Sequence, residues 1–412
     1  MGQANWTVNC HPPQRMASWF DERVTPLSTD VCVSDVPSVR SAWPKCSIFK
    51  TAFLSRQIIT YIGNKRRLLK YIASAVECIK GRIGKDKLRV ADFFSGSGIV
   101  SRYMKAHASF LVSNDIEDYA TIISRCYLRN RSTVDFPALS EIVKDLNVRV
   151  DTEPFPIGFI EELYAPKDEA NITRGDRVFY TRENARRIDN YRRLIEIAPP
   201  DIRDLLLGPL LSEASIHANT AGVFKGFYKN RDTGIGKFGG SGSDALKRIL
   251  GRIILDVPIL SLFECDYEIF QEDANSLVRR LKRLDLAYID PPYNQHPYGS
   301  NYFMLNLIAN YRRPEHISLI SGIPTDWRRS GYNSRNKAPS LLKDLFDNLD
   351  ASFLLVSFNN EGFISSEEMR TILKSLGKVE IVEVPYNAFR GSRNLEHRAV
   401  HTVEYLFLVE RK

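Results

Sequence analysis

The stretch LRVADFFSGSGIVSRYMKAH, Leu88 to His107, constrains the fold more than any other part of the chain. Its β-branched and aromatic opening reads as a buried strand, SGSG as a turn, and IVSRYMKAH as the start of a helix. Strand, glycine turn and helix in that order open a βαβ unit, and such units build parallel sheets. A second strand follows in SFLVSND, ending at Asn114 and Asp115, with a helix expected from Tyr119 to Asn130.

The parallel pattern then stops. From about Phe136 to Leu262 the chain is charged, with Arg-rich helical segments such as RENARRIDNYRRLIEI and a glycine-rich basic loop, GFYKNRDTGIGKFGGSGSDALKR. Strand-like runs resume in LDLAYIDPPY, ASFLLVSFNN, KVEIVEVPY and TVEYLFLVE, with a helix expected from Ser366 to Leu376. The last two runs, joined by a short basic loop, fit an antiparallel edge on an otherwise parallel sheet. Three stretches follow: a loosely structured extension over 1–50, an α/β domain made of 51–130 and 266–412, and an inserted block over 131–265.

Gly96 and Gly98 sit between strand and helix, where small residues let a ligand approach the backbone and the helix N-terminus. A dinucleotide fingerprint wants a third glycine at 101, where the chain has Ser101. Asp115, 19 residues past Gly96, is placed to accept hydrogen bonds from ribose hydroxyls. Asp92, just before the turn, puts a second carboxylate in the same crevice. Acids there suit an adenosine ligand with a cationic amino group, such as S-adenosyl-L-methionine, and disfavour a phosphate.

The other chemical signal is Asp290-Pro291-Pro292-Tyr293. Asp290 accepts hydrogen bonds, Pro291 offers a carbonyl with no competing N–H, Pro292 fixes φ, and Tyr293 presents a flat apolar face. Asp-Pro-Pro also serves as a plain strand stop. Read with the glycine turn it becomes a clamp for something planar that carries an amino group.

The ordered set YIGNKRRLL (Tyr61 to Leu69), DFFSGSG (Asp92 to Gly98) and DPPY (Asp290 to Tyr293) resembles the Dam-like N6-adenine DNA methyltransferases of alpha-type motif order, over roughly residues 57 to 412. The resemblance implies a Rossmann-like methyltransferase sheet, α/β and mostly parallel with an antiparallel edge strand, plus an inserted, largely helical target-recognition domain. It places Tyr61, Gly63, Asn64 and Lys65 at the methionine end of S-adenosyl-L-methionine and the neighbouring base. Asp92, Phe94, Gly96 and Gly98 match the cofactor loop, Asp115 the ribose acid, and Asp273 the acid set against the cofactor's adenine.

The resemblance also implies that the insertion contacts double-stranded DNA. There Lys225, Lys229, Arg231 and Lys237 alternate with Phe224, Phe227, Tyr228 and Phe238, a pattern suited to phosphate contact and stacking. Arg390, Arg393 and Arg398 lie in the basic loop between the last two strands. Asp290 and the Pro291 carbonyl would accept the two amino hydrogens of an adenine flipped from the duplex, with Tyr293 stacked on it. Methylation of cytosine N4 would use a similar clamp, although Asp at 290 favours adenine by resemblance. A non-catalytic DNA-binding protein with this fold is the alternative of another class.

Composition agrees without deciding. Across 412 residues, 57 Lys and Arg against 49 Asp and Glu give a net charge of +8, suited to a polyanionic partner. The six cysteines show no paired spacing, so no disulfide framework or zinc site is expected, and a reducing cytoplasm fits. His397 and His401 have helical ligand spacing but no third ligand nearby, so no metal is expected. No apolar run reaches membrane-spanning length, and the N-terminus lacks the order of a signal peptide. A monomer is expected, with any cognate restriction endonuclease acting as a separate protein.

Overall fold

The computed structural model describes residues 52–240, 243–387 and 401–412. The extension over 1–50 and the arginines at 390, 393 and 398 therefore lie outside the described residues, as does the side chain of His401. Strand β1 (Leu88–Asp92) lies between β2 (Ala108–Asn114) and β4 (Leu284–Ile289), parallel to both. With β3 (Asp266–Phe270), β5 (Ala351–Asn359), β6 (Gly377–Asn387) and β7 (His401–Arg411) they form one seven-stranded sheet, ordered β3-β2-β1-β4-β5-β7-β6. Only β7 runs against its neighbours, pairing antiparallel with both β5 and β6. The expected mostly parallel sheet with an antiparallel strand near its edge is what the chain forms.

Side chains alternate across the sheet, as the strand period of two requires. Val90, Leu286, Tyr288 and Leu355 face helices α1 (Leu69–Ile83) and α2 (Ile99–Met104). Ala91, Ala287, Ile289 and Leu354 share a second core with Leu342, Leu345, Met369 and Leu373. α1 buries Leu69, Ile72, Val76 and Ile79 at three- and four-residue spacing, and Gly84 ends it in a left-handed turn at φ 72°. A helix over Ser366–Leu376 forms as expected, its N-cap Ser365 accepting from the Glu368 N–H at 3.1 Å.

Two readings are corrected. The helix expected to run on to Asn130 is α3 (Asp118–Tyr127), followed by Arg131–Thr133 as a separate 3-10 turn. β3 has no counterpart among the expected strands, because it is the sheet edge. Its sequence DYEIF is half exposed and carries charges where central strands carry apolar residues.

The helical block between α3 and β3 does not build a core of its own. α4 (Phe136–Thr152), α5 (Phe159–Tyr164), α6 (Arg182–Ile197) and α7 (Arg203–Ile216) bury their apolar faces together with α3 and α11 (Phe303–Asn310). Three further helices, α8 (Ser243–Leu250), α9 (Ala274–Leu277) and α10 (Tyr298–Asn301), lie before α11 in the chain. Phe303 is 1% exposed and meets Phe179 edge-on at 5.8 Å and Phe224 at 6.4 Å. A buried cation also knits the block together. Arg187 donates from Nε to the Ile253 carbonyl at 2.7 Å and from Nη2 to the Tyr191 hydroxyl at 2.9 Å, and it pairs with Asp151.

Because Phe303 belongs to the segment after DPPY yet packs on the helical block, Phe303→Ala should lower stability by ~3–5 kcal/mol. Denaturant unfolding should remain a single transition. Two separated transitions would show that the block and the sheet fold as independent units.

Candidate active site

The chain leaves β1 towards β2 on one side and later reaches β4 on the other, so the C-terminal ends of β1 and β4 diverge around a crevice. Register sets the chemistry. Asp92 is paired with Tyr288, and the Phe93 N–H donates to the Tyr288 carbonyl at 3.2 Å. Asp290, two residues further on, therefore stands beside the start of the glycine turn.

Gly96 and Gly98 adopt left-handed φ values of 51° and 74°. A Cβ on Gly96 would stand 2.8 Å from the Tyr61 ring, so only glycine lets that ring lie on the turn. Asp115 pins the turn to the end of β2, its Oδ2 accepting from the Gly96 N–H at 2.7 Å and its Oδ1 from the Glu117 N–H at 2.9 Å. Burial pushes its carboxyl up to about 6 despite those bonds. Asp92 is fully buried. Its Oδ2 accepts from the Ser101 hydroxyl at 2.6 Å, whereas Oδ1 has no hydrogen-bond partner among the described residues. Burial raises it to about 7, with Asp290 and Asp115 adding to the push.

At the other lip, Lys65 opens a 3-10 turn (Lys65–Leu68) capped by Asn64, whose side chain accepts from the Arg66 N–H at 2.9 Å. Its ammonium lies 3.1 Å from Asp290 Oδ1 and 3.6 Å from Glu404 Oε2 on β7, and all three side chains are largely buried. Both of these oxygens face the one ammonium, so a single cation is shared between two carboxylates. Burial pulls Lys65 down, but Asp290 and Glu404 outweigh it and hold the ammonium well above its usual range. Burial raises Asp290 to about 7, against the opposing pull of Lys65. Tyr293 is 8% exposed, set edge-on to Phe358 at 5.4 Å, with the Lys65 ammonium 5.6 Å from its ring centre.

Tyr61 stacks on Tyr298 at 5.0 Å and on Tyr302 at 4.9 Å. Gly63, at φ 72°, brings the chain past the Tyr298 hydroxyl. Phe94 meets Tyr332 edge-on at 5.2 Å across the crevice. Asp273 also lines it while capping α9, its Oδ1 accepting from the N–H groups of Asn275 and Ser276 at 3.0 and 3.1 Å. Asp92, Phe94, Gly96, Tyr61, Gly63, Lys65 and Asp290 border two neighbouring cavities that share Tyr61, Phe94 and Asp290. Pro292 lines the larger cavity, and Pro291 is buried behind it.

Three contributors went unforeseen. Glu117 is buried in the lining, its Oε2 accepting from Asn306 Nδ2 at 2.6 Å, and burial raises it to about 8. Tyr332 supplies an aromatic wall. Glu404 follows the alternation of Leu406 and Leu408 inward along β7, and a charge on that buried row was the readable signal.

The basic loop is partly corrected. Lys225, Arg231 and Lys237 are exposed, and Lys229 lies 4.9 Å over the Phe227 ring. Phe224 and Phe227 are 2% and 6% exposed within the helical core, so they cannot stack on bases. Phe238 packs partly against the same core. Among the described residues no cluster of His, Cys, Asp and Glu is placed to hold a metal, and no helix is long and apolar enough to cross a membrane.

Comparison with known proteins agrees with this geometry. The type II methyltransferase M.NlaIII of Neisseria lactamica is 29% identical over 365 residues, covering 86% of this chain and 99% of that protein. M.CviAII of Paramecium bursaria Chlorella virus 1, also a type II methyltransferase, is 29% identical over 85% of this chain and 98% of its own. The modification methylase StsI of Streptococcus sanguinis is 30% identical over 85% of this chain, which spans only 52% of that longer protein. The family described as D12 class N6 adenine-specific DNA methyltransferase matches residues 61–372, and this chain belongs to it.

Proposed function

We propose that this DNA adenine methyltransferase takes its methyl group from S-adenosyl-L-methionine and holds the target amino group between Asp290 and the Pro291 carbonyl. The observation that carries the reading is the placement of Asp290 on the lining of the crevice, beside the glycine turn and braced by Lys65. The crevice fits the donor on its own chemistry. Asp92 Oδ1 is buried without a donor and suits an ammonium group, Asp115 borders the turn, and Phe94 with Tyr332 makes an apolar wall for a purine. When bound, S-adenosyl-L-methionine supplies a methyl group on a positively charged sulfur.

The amino nitrogen of adenine is a poor nucleophile because its lone pair is shared with the ring. Asp290 and the Pro291 carbonyl accept its two hydrogens, which localises the lone pair and aims it out of the ring plane. Asp290 is balanced near neutrality and can take the proton that methylation releases. Tyr293, with Phe358 at its edge and Lys65 over its ring, backs the clamp from within the core. The clamp requires the adenine to leave the duplex stack. Residues 131–265 act as the target-recognition region, with Lys225, Lys229, Arg231 and Lys237 on phosphates. The family assignment removes cytosine N4 and non-catalytic binding as readings.

Incubation with unmethylated bacterial genomic DNA and labelled S-adenosyl-L-methionine, followed by nucleoside analysis and modification mapping, should yield N6-methyladenine within one short motif. Bound cofactor with no label on DNA would overturn the reading. Asp290→Ala should reduce turnover by at least about 10²-fold while cofactor affinity stays close to wild type. Robust turnover would remove Asp290 from the clamp.

Only the ionised Asp290 can accept both the amino hydrogen and the released proton. With its carboxyl at about 7, kcat/KM should climb as pH rises through about 7 and level off above. Lys65 favours the ionised form, so Lys65→Met should move that rising limb to higher pH. An unmoved limb would show that Lys65 does not set the charge of Asp290.

A further inference from the structure

The two most exposed large aliphatic side chains among the described residues are adjacent: Leu319 at 90% and Ile320 at 72%. They form the tip of a tight hairpin in which Ile317 bridges Pro324, Ser318 N–H donates to the Ile323 carbonyl at 2.9 Å, and Gly322 N–H donates to the Ser318 carbonyl at 2.9 Å. The hairpin is held from below. The buried Tyr164 hydroxyl donates to the Gly322 carbonyl at 2.8 Å, and Arg177 Nη2 donates to the Leu319 carbonyl at 3.1 Å. A Cβ on Gly322 would stand 2.7 Å from the Tyr164 ring, so the turn is seated directly on the helical block. A tip this well fastened presents its apolar side chains to water by construction rather than by looseness.

Its surroundings choose the partner. Between 311 and 337 the exposed side chains include Arg312, Arg313, Arg328, Arg329, Arg335 and Lys337, against the acids Glu315 and Asp326. Arg313 also pairs with Glu162, and Arg328 with Asp118. An apolar point on a segment rich in exposed cations matches a nucleic-acid duplex, with phosphates outside and a stack of apolar base faces within. Just past the hairpin, Trp327 and the Arg328 carbonyl press on Gly299, which lines the crevice. The chain from Ile320 to Trp327 reaches at most about 25 Å, so one duplex can meet both tip and crevice.

We infer that Leu319 and Ile320 are a wedge that enters the base stack of the DNA beside the target adenine and holds open the step from which the base has turned out. The inference rests on the proposed function, in which the adenine leaves the duplex. The wedge is a positioning device: it touches neither the amino group nor the donor, and acts by lowering the cost of opening the duplex.

The test uses duplexes carrying the motif found by modification mapping. One set has 2-aminopurine at the target position, and another has the target adenine opposite an abasic site. In the wild type, 2-aminopurine fluorescence should rise on binding. The variant Leu319→Ser with Ile320→Ser should lose that rise and at least roughly tenfold in kcat/KM on the paired duplex. It should recover most of its activity opposite the abasic site, with cofactor affinity unchanged, and Leu319→Met should stay near wild type. Undiminished fluorescence and turnover in the double variant would overturn the wedge. So would an equal loss on both duplexes, or a change in oligomeric state alone, which would assign the tip to a protein contact. A wild type that methylates no DNA would instead fail the proposed function.

Discussion

Lys65 is one ammonium buried against two carboxylates, and the site depends on that imbalance. A buried carboxylate is costly unless paired, and a single cation cannot fully compensate Asp290, Glu404 and the nearby Asp92 together. Burial is the larger cause at Asp290 and Asp92, and the neighbouring carboxylates add to it. Asp290 and Asp92 are both lifted to about 7, poised between charge states where an ordinary aspartate would be fully ionised. A hydrophobic replacement of the triad would pack as well and cost less. What it could not do is keep a proton acceptor near neutrality at the lip of a crevice, which is the condition a general base needs.

The strands bring that triad together from three distant stretches of chain. Lys65 precedes β1, Asp290 follows β4, and Glu404 lies on β7, the antiparallel strand between β5 and β6. β7 therefore has a role beyond closing the sheet, because its reversed direction turns Glu404 towards the end of the sheet where Asp290 and Lys65 sit. On the opposite wall, the Tyr302 hydroxyl accepts from the Ile62 N–H at 2.7 Å while its ring stacks on Tyr61. The segment after DPPY thus braces the segment before β1, and Phe303 next to it ties both to the helical block.

What could be read from the sequence was local chemistry repeated in order. The glycine turn announces itself because left-handed φ and a close ring contact leave glycine as the residue that fits at 96. The central strands announce themselves because both of their faces are buried, so their apolar runs are unbroken. β3 was silent because an edge strand tolerates Asp266 and Glu268. Glu117 was silent because its partner Asn306 is remote in sequence, and Glu404 showed only as a charge in an apolar row, with nothing local to point to Lys65. Phe224 and Phe227 misled because an aromatic beside a lysine reads the same whether it faces a base or a core. Their burial is decided by Phe179 and Phe303, which no local pattern reveals.

The same accounting explains what the crevice selects. A carboxylate offers about four lone-pair directions. Asp115 uses two of its own on the backbone of Gly96 and Glu117, and Asp92 uses one on Ser101, so both retain capacity towards the cavity. Acceptors with open lone pairs welcome hydroxyl and ammonium donors and repel phosphate oxygens, so the lining favours a cationic nucleoside over a nucleotide. The proposed donor loses its positive charge when the methyl leaves. Asp92 and Asp115, proposed to hold the amino and ribose groups, keep the same partners through that change, so they place the donor without discriminating it from the product.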